Sequence, residues 1–191
     1  MTAAARPGGS SGVAVRPART EDLDALVELL AEVAAEGRWI ATEAPVDRGQ
    51  RRARFAETIT DQGSALLVAA AGGELVGSLD LKLARYGVAE LGMMVARAWR
   101  GRGVGSALLA AGIDWARGAG AHKLALQVWP SNQAAIALYE KFGFQREGLL
   151  RRHYRRRNGE LWDALVMGLP LAPGTEPRTG PSAPAPTECT G

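Results

Sequence analysis

The chain has one cysteine in 191 residues, Cys189, close to its end. A lone thiol excludes a disulfide framework and fits a reducing compartment. Histidine is nearly as scarce. His122 and His153 form no ligand-spaced pair, so no metal site is expected. Lysine occurs only at 82, 123 and 141; the other basic residues are arginine. No uninterrupted apolar run reaches membrane-spanning length. Met1 to Gly12 is built of small residues and arginine without an apolar core, unlike a signal peptide. The expectation is a cytoplasmic protein without a membrane partner. Neither sign of charge dominates: the net charge of +3 demands no nucleic acid. The one basic run, Arg151 to Arg157, has no aromatic stacking platform, so RNA binding ranks behind a solvated hairpin tip or an anion contact.

What is present suits one globular domain, with 47% apolar and 23% charged residues. Residues 1–12 and the Pro/Gly-rich 171–191 read as disordered tails around a domain at 13–170. Val13 to Arg16 reads as a strand stopped by Pro17. Thr20 reads as the cap of a first helix running to about Glu36, with Glu21, Asp22 and Asp24 favourable to its dipole. Asp47 caps a second helix, about Arg48 to Thr60. Strands follow at Ala65–Ala70 and Leu75–Leu83, joined by a Gly72-Gly73 turn, then at Val88–Val95 and Lys123–Val128. A helix from Val104 joins the last two, which makes them parallel neighbours. Asn132 starts a fourth helix. Phe144 to about Arg156 and Leu161 to Leu169 form a hairpin over Asn158-Gly159, a type I′ signal, with Arg157 and Glu160 as a flanking charge pair. The order is β-α-α-β-β-β-α-β-α-β-β. This is an α/β domain.

The organising stretch is Arg100-Gly101-Arg102-Gly103-Val104-Gly105-Ser106, between a strand and a helix. Glycines let backbone approach a ligand, and the first helical amides point outward unpaired, a fit for phosphate. A P-loop would need a Lys here, and none is present. A dinucleotide site would need a third Gly where Ser106 stands and an acidic end to the next strand, which ends Gln127-Val128. A plain flexible turn is the other reading.

The pattern Arg/Gln-x-x-Gly-x-Gly/Ala is matched in full by Arg100 to Gly105. A second block, Asn132 to Phe144 with Tyr139 and Gly143-Phe144, follows at matching order and spacing. Together they resemble the GNAT N-acetyltransferase superfamily over roughly Val13 to Leu169. The resemblance implies that superfamily's fold: a mixed, mostly antiparallel sheet with helices on both faces, whose two central parallel strands splay to admit the pantetheine arm. It implies acetyl-CoA as co-substrate and a primary amine as acceptor, with direct transfer in a ternary complex.

On that resemblance the backbone from Arg100 to Ser106 holds pyrophosphate, with a phosphate contact expected from Arg100 or Arg102. Met93, Met94 and Val95 pair with pantetheine. Asn132 caps a helix, touches the cofactor arm, or does both. Tyr139 is the candidate acid, against a role as core aromatic. Glu90 is the candidate base, against a solvent-facing strand residue. The stretches Glu36–Glu43 and Glu147–Met167 are similar to the subset that acetylates amino acids or analogues. Arg38 is then a candidate for a carboxylate, Trp39 for an apolar side chain and Glu43 for an ammonium. Tyr154 is a further candidate for the acceptor side. The alternative for that loop is a segment pinned by Trp39. The expected partner is a small-molecule amine; the family often dimerises, so a homodimer is one expectation. Acetylation of protein lysines or N-termini, and a non-catalytic CoA-binding module, are the alternatives.

Overall fold

The computed structural model describes residues 12–171; both expected tails lie almost wholly outside them. Seven strands form one sheet in the order β1-β2-β3-β4-β5-β7-β6. They are β1 Val13–Pro17, β2 Ser64–Ala71, β3 Glu74–Leu83, β4 Val88–Val95, β5 Lys123–Val128, β6 Gln145–Arg155 and β7 Leu161–Pro170. Only β4 and β5 are parallel; every other pair is antiparallel. Four helices cover it: α1 Leu23–Ala35, α2 Arg48–Thr60, α3 Val104–Gly118 and α4 Gln133–Lys141.

The helices divide by face. The apolar stripe of α1 buries Leu26, Leu29, Leu30 and Val33, against Leu66, Val68 and Met94 on one face of the sheet. Phe55 and Ile59 bring α2 onto the same side. On the other face Val104, Leu108, Leu109 and Ile113 of α3 join Ile136 and Tyr139 of α4 over Leu79, Leu81, Leu124 and Leu126. Gly112 sets how closely α3 sits, since a Cβ there would lie 2.5 Å from Leu79 Cδ2.

Local chemistry accounts for most element ends. Asp47 Oδ1 accepts from the Gln50 amide at 2.9 Å and caps α2. Gly72 and Gly73 both take positive φ, the backbone of a tight hairpin. Two local readings differ from the structure. Thr20–Asp22 is a 3-10 turn ahead of α1, and Asp22 is buried, where Arg16 donates to it at 2.6 and 2.8 Å. Those bonds hold the Asp22 carboxyl below the usual range. A counterion on the preceding strand thus outweighs the weaker pull of a helix dipole. At the β6–β7 turn only Gly159 has positive φ, and its amide donates to Arg156 O at 2.9 Å. The turn is therefore longer than type I′. Glu160 accepts from Trp162 Nε1 at 3.0 Å, and Arg157 turns to the α1–α2 loop.

Candidate active site

β4 and β5 pair only through Val88–Glu90 and Lys123–Ala125. Past that point each keeps its other neighbour: β4 stays with β3 as far as Val95, and β5 with β7 as far as Val128. The two strands therefore part without either edge fraying. The gap opens into a cleft of about 870 Å³ lined by both strands, the Gly-rich loop, α4 and the inner sides of α1 and α2.

The loop supplies the floor for an anion. Gly101 and Gly103 take φ of 72° and 84°, and Gly103 is the residue before α3. Among the described residues, no protein acceptor meets the amides from Gly101 to Ser106; the first helical bond is Ala107 to Gly103 O. Such a run of unpaired amides at a helix start favours anionic oxygens. Asn132 caps α4 by accepting from the Ala135 amide at 3.3 Å, and it also lines the cleft.

Arg100 serves the loop from beneath. Its guanidinium donates to Glu36 at 2.8 and 2.5 Å and to Val95 O at 3.0 Å. Trp39 Nε1 donates to the same carboxylate at 2.7 Å. Arg100 first, then Trp39, hold the Glu36 carboxyl below the usual range. The loop is thus tied to the end of α1, and Trp39 is fixed at the cleft wall.

Two titratable side chains with shifted acidities line the cleft, Tyr139 and Asp80. Tyr139 of α4 is 6% exposed and lines the cleft. Among the described residues its hydroxyl has no protein partner, yet it is not sealed from solvent. Burial, then the charge of Asp80, push its phenol up to about 12. Asp80 of β3 lines the same cleft. Solvent reaches it from the open side while protein crowds it from the others, and this loss of hydration pushes its carboxyl up to about 6. Arg54 of α2 acts against that shift. Arg51 and Arg54 both line the cleft, and among the described residues neither has an ion-pair partner.

The sequence matches the Acetyltransferase (GNAT) family over residues 25–144. The chain belongs to the GNAT acetyltransferase family. It is similar to the L-amino acid N-acetyltransferase AaaT of Escherichia coli K12, with 32% identity over 166 residues, 82% of this chain and 97% of that one. It is also similar to the N-alpha-acetyltransferase RimI of Mycobacterium tuberculosis, 44% identical over 93 residues, 46% of this chain and 56% of RimI. The fold is that of a GNAT phosphinothricin acetyltransferase from Sinorhizobium meliloti, solved with acetyl-CoA. The TM-score is 0.76 at 24% identity, covering 88% of this chain and 95% of that one.

Within this GNAT scaffold the residues singled out in the sequence fall into three groups. Met93, Met94, Val95, Arg100, Gly101, Gly103, Gly105, Ser106, Asn132, Tyr139, Trp39 and Tyr154 all line the cleft. Tyr154 donates to Gln127 Oε1 at 2.9 Å and sets its ring edge-on to Trp129. Val104 is buried under the loop and Arg102 is exposed, its guanidinium 5.4 Å from the Trp99 ring.

Glu90, Arg38 and Glu43 stand apart from the cleft lining. Glu90 is exposed at the last position where β4 still pairs with β5. Arg38 is exposed and lies 4.2 Å over the Trp39 ring. Glu43 is held by Arg156 at 3.1 Å and by the Arg157 amide. The reason is burial of Arg156, which is 6% exposed and needs a counterion. Arg156 also donates to Ala41 O at 3.2 Å and stacks 4.3 Å from the Trp162 ring. The basic run is therefore not solvated throughout; it anchors the α1–α2 loop.

Asp80, Arg51 and Arg54 were not singled out in the sequence. Asp80 alternates with Leu79 and Leu81 along β3, a pattern that by itself assigns it no role. The available signal was the topology: a central strand with helices on both faces turns its polar positions toward a helix layer.

Proposed function

We propose that the protein moves the acetyl group of acetyl-CoA to the amine of a free amino acid, directly and within a ternary complex. The observation that carries this reading is the pair of unpartnered arginines, Arg51 and Arg54, brought by α2 to the cleft that holds Tyr139 and the free-amide loop. A guanidinium fork suits a carboxylate. Leu30, Val33, Ile40 and Phe55 line the same side and suit an apolar amino-acid side chain. The likeness to AaaT supports the same class.

The roles follow from position. The amides of Gly101 to Ser106 bind the pyrophosphate of acetyl-CoA. The backbone of Met93 to Val95 accompanies the pantetheine arm and offers an amide to the thioester oxygen, a contact worth about 3 kcal/mol in such a transition state. Asn132 flanks the arm. Tyr139, protonated at neutral pH, gives its proton to the departing sulfur. Trp39 and Tyr154 form walls of the acceptor side.

The test compares CoA release with an apolar L-amino acid and with the amine that lacks only its carboxylate. The amino acid is expected to have the higher kcat/KM, and Arg54→Ala to narrow the difference. Equal rates with both amines contradict the reading. The likeness to RimI favours a second reading, transfer to a protein N-terminus, in which a short peptide outcompetes every free amino acid.

A further inference from the structure

Asp80 lies opposite Gly92 in the β3–β4 register. A Cβ on Gly92 would come within 2.8 Å of Asp80 Oδ1 and 3.1 Å of Oδ2. The carboxylate thus leans over the neighbouring strand into room that any other residue at position 92 would fill. Gly92 is two residues past Glu90, where β4 has already left β5 and its backbone lines the cleft. Glu90 stays behind, exposed, in register with Lys82. One carboxylate reaches the cleft by crossing a glycine; the other remains on the paired part of the sheet.

We propose that Asp80, reaching across Gly92, takes the proton from the acceptor's ammonium. This rests on the acetyltransferase reading above. The nitrogen enters with three protons and leaves as an amide with one. Asp80 removes the first and passes it to solvent. The freed lone pair forms the C–N bond at the thioester carbon. As the C–S bond breaks, the sulfur takes the Tyr139 proton, and the tyrosinate recovers the second proton from nitrogen. Burial disfavours the charged carboxylate and the charge of Arg54 on α2 partly offsets this. Arg51 and Tyr139 line the same cleft, and Ser78, Lys82 and Glu90 share its face of the sheet. Its carboxyl, pushed up to about 6, is a stronger base than a free aspartate and is still deprotonated at neutral pH.

The experiment measures CoA release against pH for the full chain, Asp80→Asn and Glu90→Gln, with acetyl-CoA affinity by calorimetry and Tm for each. A second acceptor, an α-aminooxy acid, carries a nitrogen that is unprotonated at neutral pH. The proposal predicts a fall in kcat of about 100-fold or more in Asp80→Asn, against less than about 3-fold in Glu90→Gln. It also predicts loss of the acid limb near pH 6 in Asp80→Asn, and a smaller loss with the aminooxy acid. Unchanged turnover in Asp80→Asn, or a loss accompanied by weaker acetyl-CoA binding or a lower Tm, overturns the assignment and leaves the transferase standing. A wild-type protein that binds acetyl-CoA but acetylates no amine overturns the transferase reading, and Asp80's role with it.

Discussion

Arg100 and Glu36 are joined by two hydrogen bonds, of 2.8 and 2.5 Å, across 64 residues of chain. The arginine opens the glycine-rich loop and the glutamate ends α1. The pair orients the loop from below and leaves the backbone amides, rather than this guanidinium, to face an anion. Glu36→Gln is expected to cost about 1–3 kcal/mol at pH 7, because a partly buried guanidinium loses its countercharge. The sign with pH is fixed by the lowered carboxyl. The contribution is full above the unfolded value of 4.5 and is lost as pH falls through the lower folded value. Urea unfolding of both proteins should therefore converge toward acid.

Gly103 tests the loop. A Cβ there meets nothing within 4 Å, so a side chain does not clash, but the backbone holds φ at 84°. A β-branched residue resists that conformation by about 1–2 kcal/mol. Gly103→Val should keep the fold by circular dichroism and weaken acetyl-CoA binding at least about 10-fold by calorimetry. Normal binding would place the pyrophosphate elsewhere. Gly105 is a poorer probe, since its Cβ would lie 3.0 Å from Leu138 and disturb α4.

Tyr139→Phe removes a hydroxyl without a protein partner, so stability should hold. Turnover should fall by about 100-fold or more, as for loss of a general acid, with acetyl-CoA affinity nearly unchanged. Stopped-flow CoA release with parallel calorimetry separates the two effects. An active Tyr139→Phe would return Tyr139 to the role of a core aromatic.

Asp80 carries a stability signature independent of turnover. Its folded value of about 6 lies above the ordinary 3.8. The folded protein therefore binds more protons than the unfolded chain between those values, and this group's contribution declines as pH rises through the window. Asp80→Asn lacks that decline and should show the higher Tm at pH 7. A stabilised, inactive variant is the expected trade where a carboxylate is kept poorly hydrated for function.

Much of this was legible before the fold. β4 and β5 begin and end where alternating apolar residues predict, and Gly101, Gly103 and Asn132 mark their turns by residue type alone. Tyr139 stands out through the resemblance of the Asn132–Phe144 block to the GNAT signature; its helical spacing alone reads as a core aromatic. What escaped depends on distant partners. Asp22 reads as a helix-dipole residue until Arg16 is beside it. Glu43 reads as an open anion until Arg156 needs a counterion. Asp80 is one polar position in the alternation of β3 until register sets it over Gly92. That register is not fixed by a simple turn: the β3–β4 connection passes through Tyr86 at φ 66°, a conformation its sequence does not announce.

The central claim is acetyl transfer to a free amino acid. It is tested most directly by CoA thiol release from acetyl-CoA, with L-amino acids, polyamines, aminoglycosides and short peptides assayed beside Tyr139→Phe. The account predicts release with apolar L-amino acids that the mutant loses. Silence with every amino acid while acetyl-CoA still binds, or release confined to peptides, would contradict it.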